Sequence, residues 1–220
     1  MSVRKKGVIM NQKITICINR EYGSGGKTIG EMLSENLGIH YYDKEIEKLA
    51  ADASGINEAL FVNAQDDFHG TPLFRSSTSI YTGELLPPSS SEYTSRKNLF
   101  NIQAKVIKDL SETQPCIIIG HCGGFILRDR PNVVRIFVHA PHDFLMEKAA
   151  EKKSLPPKDL ERYIEKENKR RAAYNFYYSG TEWADAHNYD LCLDCSVLGF
   201  EKARELVKAY MKVRFDGLEF

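Results

Sequence analysis

The sequence has no net charge, no long apolar run and no internal repeat. Its 30 Lys and Arg residues balance its 30 Asp and Glu residues, so composition gives no general attraction to nucleic acid or to an anionic membrane. No apolar run reaches the length that a bilayer requires, and residues 1–12 are polar, without the apolar segment of a signal peptide. We therefore expect a cytoplasmic protein with neither nucleic-acid nor membrane partners, and composition leaves its oligomeric state open.

Cysteines are few, and their number is odd. Cys17, Cys116 and Cys192 lie in apolar, strand-like runs, where buried free thiols are common. Cys192 and Cys195 form a single CxxC pair, but no second pair and no pair of histidines accompanies it, so a metal site is a weak interpretation. We expect all the cysteines to be reduced, as in a cytosolic protein.

The most informative stretch is KITICINREYGSGGKTIGEMLSENLGIHYYD, residues 13–43. Ile14–Ile18 has the composition of a buried strand, and from Ile29 the apolar residues recur at helical spacing until Gly38, a favoured helix stop. The glycine-rich loop between them is typical of a phosphate site, because glycines let the backbone approach an anion and a helix N-terminus supplies N–H groups. A plain glycine-rich turn is the less favoured alternative. The candidate binding residues are Gly23, Ser24, Gly25, Gly26, Lys27 and Thr28.

The sequence leaves two registers open for this loop. Gly26-Lys27-Thr28 matches the end of the Walker A pattern GxxxxGK[ST], in which the Lys contacts phosphates and the hydroxyl ligates Mg²⁺. Glu21, however, stands where the pattern has its first glycine. A reading one residue earlier, as GxxxxGKGT, places Gly26 at the lysine position, and the lysine is then missing.

Asp43 ends a second strand-like run that begins at Ile39. Ligand groups collect at the carboxyl ends of strands in open parallel sheets, so Asp43 is a candidate for substrate or Mg²⁺ binding. It is also a preferred N-cap residue for a helix that begins at Lys44, and both roles are compatible with the sequence.

Further apolar runs predict the rest of a parallel sheet. We expect central strands at Ile14–Ile18 and Cys116–Ile119, flanked by Val133–Val138 and Tyr189–Leu193. Helical patterns separate these runs, which indicates an α/β fold with helices on both faces of the sheet. The Ser- and Pro-rich stretch within 54–95 indicates either a mobile substrate lobe or disorder.

A long basic helix is predicted within residues 147–178, where Lys and Arg alternate with acids. Most of these residues fit a solvated, salt-bridged surface. The end of the run, KRRAAYNFYYSG, places Arg170 and Arg171 shortly before Ser179-Gly180, a predicted hinge. Arginines that close over phosphates stabilise charge in phosphoryl transfer, so this helix is a candidate lid.

Together these motifs resemble the cytidylate kinase-like family, a branch of the P-loop nucleoside monophosphate kinases. The matching pieces are NREYGSGGKTIGEMLSENLG, YYDKEI, PCIIIGHCGGFILRDRPNVVRIFVHAP, NKRRAAYNFYYSGTEW and YDLCLDCSVLG. The resemblance implies a three-layer P-loop fold in a single kinase domain over 13–220. It also implies an acceptor-binding lobe at about 44–98, a helical lid at about 152–185, and ATP with Mg²⁺ as cofactors.

The resemblance assigns roles to individual residues as well. It implies a phosphate loop over Gly23–Thr28, Mg²⁺ ligation by Thr28 and Asp43, and catalytic roles for Lys27, Lys169 and Arg171. Two departures are visible: Asn168 stands where the lid segment usually begins with Asp, and Gly120-His121-Cys122-Gly123-Gly124 stands where relatives often read GRCAD. The available substitutes for the missing Arg are Arg96, Arg128 and Arg130. The substrate-binding candidates are Asp43, Arg96 and Arg128.

The function that this reading predicts is transfer of the γ-phosphoryl group of ATP to a small acceptor, a cytidylate-like nucleoside monophosphate first of all. One alternative is a P-loop kinase for a non-nucleotide metabolite, because the GIHYYD segment also resembles that of shikimate kinases. The other is a nucleotide-binding sensor or partner-binding module with reduced catalysis. The missing GRCAD charges and Glu21 favour this last alternative.

Overall fold

The computed structural model describes residues 12–66, 81 and 83–220. The strands are Thr15–Arg20 (β1), His40–Tyr42 (β2), Cys116–Ile119 (β3), Val133–His139 (β4) and Leu191–Asp194 (β5). The helices of the described residues are Gly26–Leu37 (α1), Glu45–Ser54 (α2), Glu58–Asp66 (α3), Arg96–Thr113 (α4), Gly123–Ile126 (α5), His142–Ala150 (α6), Pro157–Ser179 (α7) and Cys195–Arg214 (α8), with a 3₁₀ turn at Ala186–Asn188.

The five strands form one parallel sheet in the order β2-β3-β1-β4-β5, which confirms the predicted fold class. Strand β1 is central, because Ile16 pairs with Ile117 of β3 on one side and with Val134 of β4 on the other. All strands run in the same direction, so their carboxyl ends share one edge of the sheet. The loops that follow β1, β2 and β3 therefore meet at this edge.

Alternation along β1 divides the core between two faces of the sheet. Ile14, Ile16 and Ile18 pack with α1 and α8 in one cluster, whereas Cys17 packs with α2 and α4 in the other. Fully burying each such isoleucine side chain contributes about 1.5–3 kcal/mol. The result is three layers, with helices on both faces of the sheet.

Helix α1 begins and ends at glycines. Gly25 precedes it with a φ of 90° and Gly38 follows it with a φ of 65°, and the Gly38 N–H donates to the carbonyl of Ser34. Both glycines lie in the left-handed region, which side chains disfavour. The predicted stop at Gly38 is confirmed.

Two sequence interpretations are wrong at the level of single residues. Asp43 does not cap α2, because the helix begins at Glu45 and its N-cap residue, Lys44, has no side-chain cap bond. Cys192 is exposed rather than buried, because β5 is the last strand of the sheet. The other four cysteines are buried and all five are free, and no cluster in the described residues holds three potential metal ligands.

Part of the sequence interpretation lies outside the described residues. This applies to the N-terminal tail up to residue 11, and to residues 67–80 and 82 of the Ser- and Pro-rich stretch. Elsewhere the boundaries differ from the prediction by a few residues; the last strand, for example, was expected at Tyr189–Leu193 and is observed at Leu191–Asp194. No helix in the described ranges is long and apolar enough to cross a membrane.

Candidate active site

The loop between β1 and α1 has a shape that requires glycine. Gly23 has a φ of 87°, and a Cβ there would lie 2.5 Å from the carbonyl oxygen of Leu145. A Cβ on Gly25 would lie 2.2 Å from Cε1 of Phe200. A hydrogen bond within the loop also holds its shape, because the buried Ser24 hydroxyl donates to the Glu21 carbonyl at 2.9 Å. This packing fixes the backbone ahead of α1 in one conformation.

The start of α1 offers unpaired donors. Among the described residues, the N–H groups of Gly25, Gly26 and Lys27 have no hydrogen-bond acceptor. They lie at the positive end of the helix dipole, where an anion is stabilised. Because the helix begins at Gly26, Lys27 and Thr28 both lie in its first turn, as the Gly26-Lys27-Thr28 register places them.

A cavity of about 620 Å³ opens over this helix end. Its lining comes from the loop, from α2 and α3, and from α7. Three polar residues at the shared edge of the sheet also line it: Arg20 ends β1, Asp43 directly follows β2, and His121 lies two residues beyond β3. The fold thus brings three polar side chains from separate strands into one site.

Asp43 is the centre of a charged cluster. Its carboxylate lies 3.2 Å from Nζ of Lys27 and 3.6 Å from Nη2 of Arg20, and it accepts the Tyr41 hydroxyl at 3.3 Å. Burial alone raises the pKa of Asp43, but Arg20 and Lys27 outweigh burial and hold this pKa below its usual range. Asp43 is therefore ionised at neutral pH, and Lys27 already contacts it within the cavity.

His121 and Glu47 form a buried polar pair beside Asp43. The backbone carbonyl of Asp43 lies 2.9 Å from Nε2 of His121, and Glu47 Oε2 lies 3.9 Å from the same nitrogen. Burial lowers the pKa of His121 to about 4 and raises the pKa of Glu47 to about 7. His121 Nδ1 and Glu47 Oε2 are buried and have no partner among the described residues.

Helix α7 is bonded to the phosphate loop. The Arg171 guanidinium donates to the Arg20 carbonyl at 2.8 Å and lies over the Tyr22 ring, 5.6 Å from its centroid. Asn168 Oδ1 accepts the Tyr22 N–H at 2.7 Å. Burial, and next the nearby Arg20 cation, lower the pKa of Arg171. Two partly buried cations thus lie side by side at the cavity, an arrangement that an entering anion stabilises.

Five of the predicted residues lie apart from this cavity lining, and one of them is the buried Ser24, whose hydroxyl is bonded to the Glu21 carbonyl. Lys169 is 78% exposed and pairs with Glu165, and Arg128 stacks on Phe125 near the surface. Arg96 begins α4, where its carbonyl accepts the Tyr178 hydroxyl, and Thr28 is half-buried on α1. The structure therefore brings together the glycine loop, Lys27, Asp43 and Arg171, but not Lys169, Arg96 or Arg128.

Other residues that line the cavity were missed by the sequence reasoning. Arg20 and Glu47 were not singled out, His121 was noted only as a replacement for Arg, and Arg170 was named only as one of the lid arginines, without a site role of its own. Arg170 donates to the Gln65 carbonyl at 2.9 Å and thereby joins α7 to α3. Arg20 and His121 each lie two residues beyond a predicted strand, so the sequence indicated that they lie at the edge of the sheet. Nothing in the sequence distinguished Arg170 from its basic neighbours.

Comparison with known proteins identifies the family and the fold. A sequence model of the cytidylate kinase-like family matches residues 15–197. A crystal structure of an uncharacterized protein from Eubacterium ventriosum is similar with a TM-score of 0.66 and 22% identity, over 90% of this chain and 98% of that one. A shikimate kinase from Bacteroides thetaiotaomicron is similar in fold with a TM-score of 0.52 and 10% identity, over 90% and 98% of the two chains. No curated protein matches the chain.

Proposed function

The chain belongs to the cytidylate kinase-like family and is a P-loop kinase in fold, and from that premise we propose that it transfers the γ-phosphoryl group of ATP to a small acceptor. The observation that carries the proposal is the placement of Lys27, Asp43 and Arg171 around one cavity at the N-terminus of α1. Phosphoryl transfer needs positioning and charge stabilisation more than covalent chemistry, and these groups supply both.

Each group of residues in the cavity has its own role in the proposed reaction. The free N–H groups of the glycine loop and Lys27 hold the phosphates of ATP, and Arg171 stabilises the transferred group from α7. When Mg²⁺ is bound it neutralises phosphate charge, and the oxygen donors of Thr28 and Asp43 are of the kind that Mg²⁺ prefers. In this proposal α2 and α3 belong to the acceptor-binding lobe at about 44–98, and α7 belongs to the lid at about 152–185.

A cytidylate-like nucleoside monophosphate is the first acceptor to test, because the family suggests it. Arg96 and Arg128 are the substrate-binding candidates that the resemblance supplies, and Arg20 is a cation that lies within the cavity itself. A non-nucleotide hydroxyl acceptor is the second candidate. The buried polar side chains of His121 and Glu47 beside Asp43 favour it.

A nucleotide-binding sensor with reduced catalysis is the alternative from another class. It is favoured by the contacts of the two key cations, since Lys27 is engaged by Asp43 and Arg171 by the Arg20 carbonyl. In a sensor these contacts persist when ATP is bound. In a kinase both cations move to the phosphates.

The deciding experiment measures ADP release from ATP and Mg²⁺ over a panel of nucleoside monophosphates and small alcohols, together with ATP affinity. We expect acceptor-dependent release for at least one compound, and its loss in Asp43→Asn, where the oxygen is kept and the charge is removed. Asp129→Asn, at an 87% exposed surface carboxylate, is the matched control and should retain activity. ATP binding without turnover across the panel would support the sensor instead.

A further inference from the structure

Arg20 has hydrogen-bond donors at the cavity that no residue of the described chain uses. It is the last residue of β1, and its side chain donates to no acceptor within the described ranges; its one ion pair there is with Asp43 Oδ1, at 3.6 Å. The side chain is 19% exposed and lines the cavity, and none of its nitrogens is among the buried atoms without a partner. Its guanidinium is therefore open to a ligand.

The backbone of the neighbouring strand makes room for this guanidinium. A Cβ on Gly120, which follows β3 with a φ of 77°, would lie 2.5 Å from Arg20 Nη1. The arginine therefore lies across a position at the edge of the sheet that only a glycine leaves open. A planar fork of N–H donors matches a carboxylate or a phosphate, and a fork that is already held in place loses less entropy on binding than a free side chain does.

Positive charge is in excess around Arg20. Arg171 donates to the Arg20 carbonyl at 2.8 Å, and within the described chain it forms no ion pair with a carboxylate. Arg20 itself shares the carboxylate of Asp43 with Lys27. An anion that enters beside Arg20 and Arg171 therefore meets two cations, of which only one has a counterion in contact, and such an anion is stabilised by both.

The open side of Arg20 is separate from the phosphate loop. Arg20 contacts Oδ1 of Asp43 and Lys27 contacts Oδ2, so this carboxylate stands between the two cations. Arg20 and Arg171 also line a smaller hollow of about 30 Å³, together with residues of α3 and α7, and no residue of the described loop Gly23–Thr28 lines it. Because the proposed reaction holds the phosphates of ATP at the loop, an anion at Arg20 belongs to the acceptor.

We propose that Arg20, with Arg171 beside it, binds an anionic group of the acceptor, either a phosphate monoester or a carboxylate. Arg20 is then a specificity-determining residue. Acceptors that carry such a group bind, whereas uncharged alcohols bind poorly because they leave the two cations without a counterion. This inference rests on the proposed phosphotransferase function and narrows its acceptor to anionic compounds.

Equilibrium binding to the full chain tests the site without requiring turnover. A non-hydrolysable ATP analogue with Mg²⁺ is kept at saturation, and the probes are pairs in which only one member is charged. CMP with cytidine and D-ribose 5-phosphate with D-ribose test a phosphate monoester, and D-gluconate with D-glucitol tests a carboxylate. We expect the charged member of at least one pair to bind about tenfold or more tightly than its neutral partner, because charge-assisted hydrogen bonds form only with the anion.

Two variants of Arg20 separate charge from structure. Arg20→Gln removes the charge and should weaken binding of the charged probe about tenfold to a hundredfold, with little change for the neutral partner. Arg20→Lys keeps the charge and should retain most of the affinity, whereas a purely structural role would weaken both variants and both probes alike. Arg162→Ala, at an 80% exposed position of α7, is the control and should bind like the wild type.

The outcomes separate this inference from the proposed function. Anion binding that depends on Arg20 but gives no ADP release supports the site and refutes the phosphotransferase. ADP release with an uncharged acceptor, unchanged in Arg20→Gln, supports the phosphotransferase and overturns the inference. It is also overturned if no probe binds, if Arg20→Lys loses as much affinity as Arg20→Gln, or if charged and neutral members bind the wild type equally. This last comparison stands even if Arg20→Gln proves too unstable to study.

Discussion

At the scale of single residues, the two cations that contact the phosphate loop differ in their surroundings. The Lys27 side chain is about half exposed and reaches Asp43 across the cavity, whereas Arg171 is enclosed between Tyr22 and the Arg20 carbonyl. A cation that is already desolvated acts more strongly on an entering charge than one in contact with water. We therefore expect Arg171 to attract an entering anion more strongly than Lys27 does.

From this we predict that Arg171→Ala lowers turnover far more than Lys27→Ala does, by about 10³-fold or more if Arg171 acts on the transition state. ATP affinity should fall only modestly in both variants. Steady-state kinetics with the best acceptor, together with ATP titration, measure the difference. Arg162→Ala, at an 80% exposed position of α7, is the control. Loss of ATP binding in Lys27→Ala with near-normal Arg171→Ala would contradict the prediction.

Glu47 makes stability depend on pH in the opposite direction to an ordinary carboxylate. Its folded-state pKa is about 7 against an ordinary 4.5, so between these values the folded chain binds more protons at Glu47 than the unfolded chain. Raising the pH through this window therefore lowers the free energy of unfolding. His121 acts oppositely, because its lowered pKa gives stability that is lost as the pH falls from 6.5 towards 4.

Comparing variants isolates the Glu47 contribution. We predict that Glu47→Gln gains stability relative to wild type as the pH rises from 5 to 8, approaching about 3 kcal/mol. Urea unfolding of both chains at the two pH values gives the difference, and Glu45→Gln should show no such gain. If the difference in the free energy of unfolding between Glu47→Gln and wild type stays constant from pH 5 to pH 8, Glu47 is ionised throughout this range.

At the scale of elements, α7 is attached to the end of β1 and the following loop by two side chain to backbone bonds. Arg171 donates to the Arg20 carbonyl, and Asn168 Oδ1 accepts the Tyr22 N–H. The Tyr22 ring also contacts Tyr163 of the same helix, with 5.1 Å between the ring centroids. The helix and the loop, which both line the cavity, are therefore expected to move together unless these bonds open. An Asp at position 168 would also supply the accepting oxygen.

We predict that Asn168→Ala releases the loop from the helix, so that the Tyr22 amide exchanges its hydrogen faster by tenfold or more. Asn168→Asp should keep the amide protected, because the carboxylate still accepts. Hydrogen exchange followed at Tyr22 measures both, and Glu165→Ala, a half-exposed residue on the same helix, is the control. Equal exchange in Asn168→Ala and wild type would show that the bond does not hold the two elements together.

Strand β5 depends on one acidic residue at its start. Asp190 accepts from the Arg135 backbone N–H at 2.7 Å and from Nη2 of Arg135 at 2.8 Å, and it pairs with Arg214 of α8 at 3.0 Å. Burial raises the pKa of Asp190, but the bonds from Arg135 outweigh burial and lower this pKa overall. The carboxylate thus joins the neighbouring strand and the last helix to the edge of the sheet.

We predict that Asp190→Ala lowers the free energy of unfolding by about 2–4 kcal/mol at pH 7, since it leaves two arginines without their partner. Because the folded-state pKa is lowered, the difference from wild type should shrink as the pH falls through it, when Asp190 itself protonates. Denaturant titration at pH 7 and at pH 3 measures both effects. Asp129→Ala, at an exposed pair, should change stability by less than about 1 kcal/mol.

At the scale of the whole molecule, the parallel sheet could be predicted because its three inner strands, β1, β3 and β4, are apolar runs whose residues are mostly buried. Cys116–Ile119 was predicted with its observed bounds, and Gly38 ended α1 for the conformational reason expected. Cys192 was misjudged because strand order is not written in the sequence, and an edge strand resembles a central one when read alone.

The sequence could identify those site residues that belong to a local motif. It could not identify those that reach the cavity only through the way the chain folds. The glycine loop and Asp43 could be identified because each follows a strand directly. Glu47 could not, since a lone Glu on a helix indicates solvent until the fold places it against His121. The exposure of Lys169 likewise depends on how α7 packs, which a basic helical pattern does not determine.

Asp43 also has a thermodynamic consequence for the whole cavity. It contacts Lys27 with its carboxylate and His121 with its backbone carbonyl, so a ligand that displaces the residue from either side alters the other side. If nucleotide binding changes the affinity for the acceptor by some factor, acceptor binding must then change the affinity for the nucleotide by the same factor. In the proposed reaction the nucleotide and the acceptor would therefore share one coupled equilibrium, and neither dissociation constant would have a single value until the concentration of the other ligand is stated.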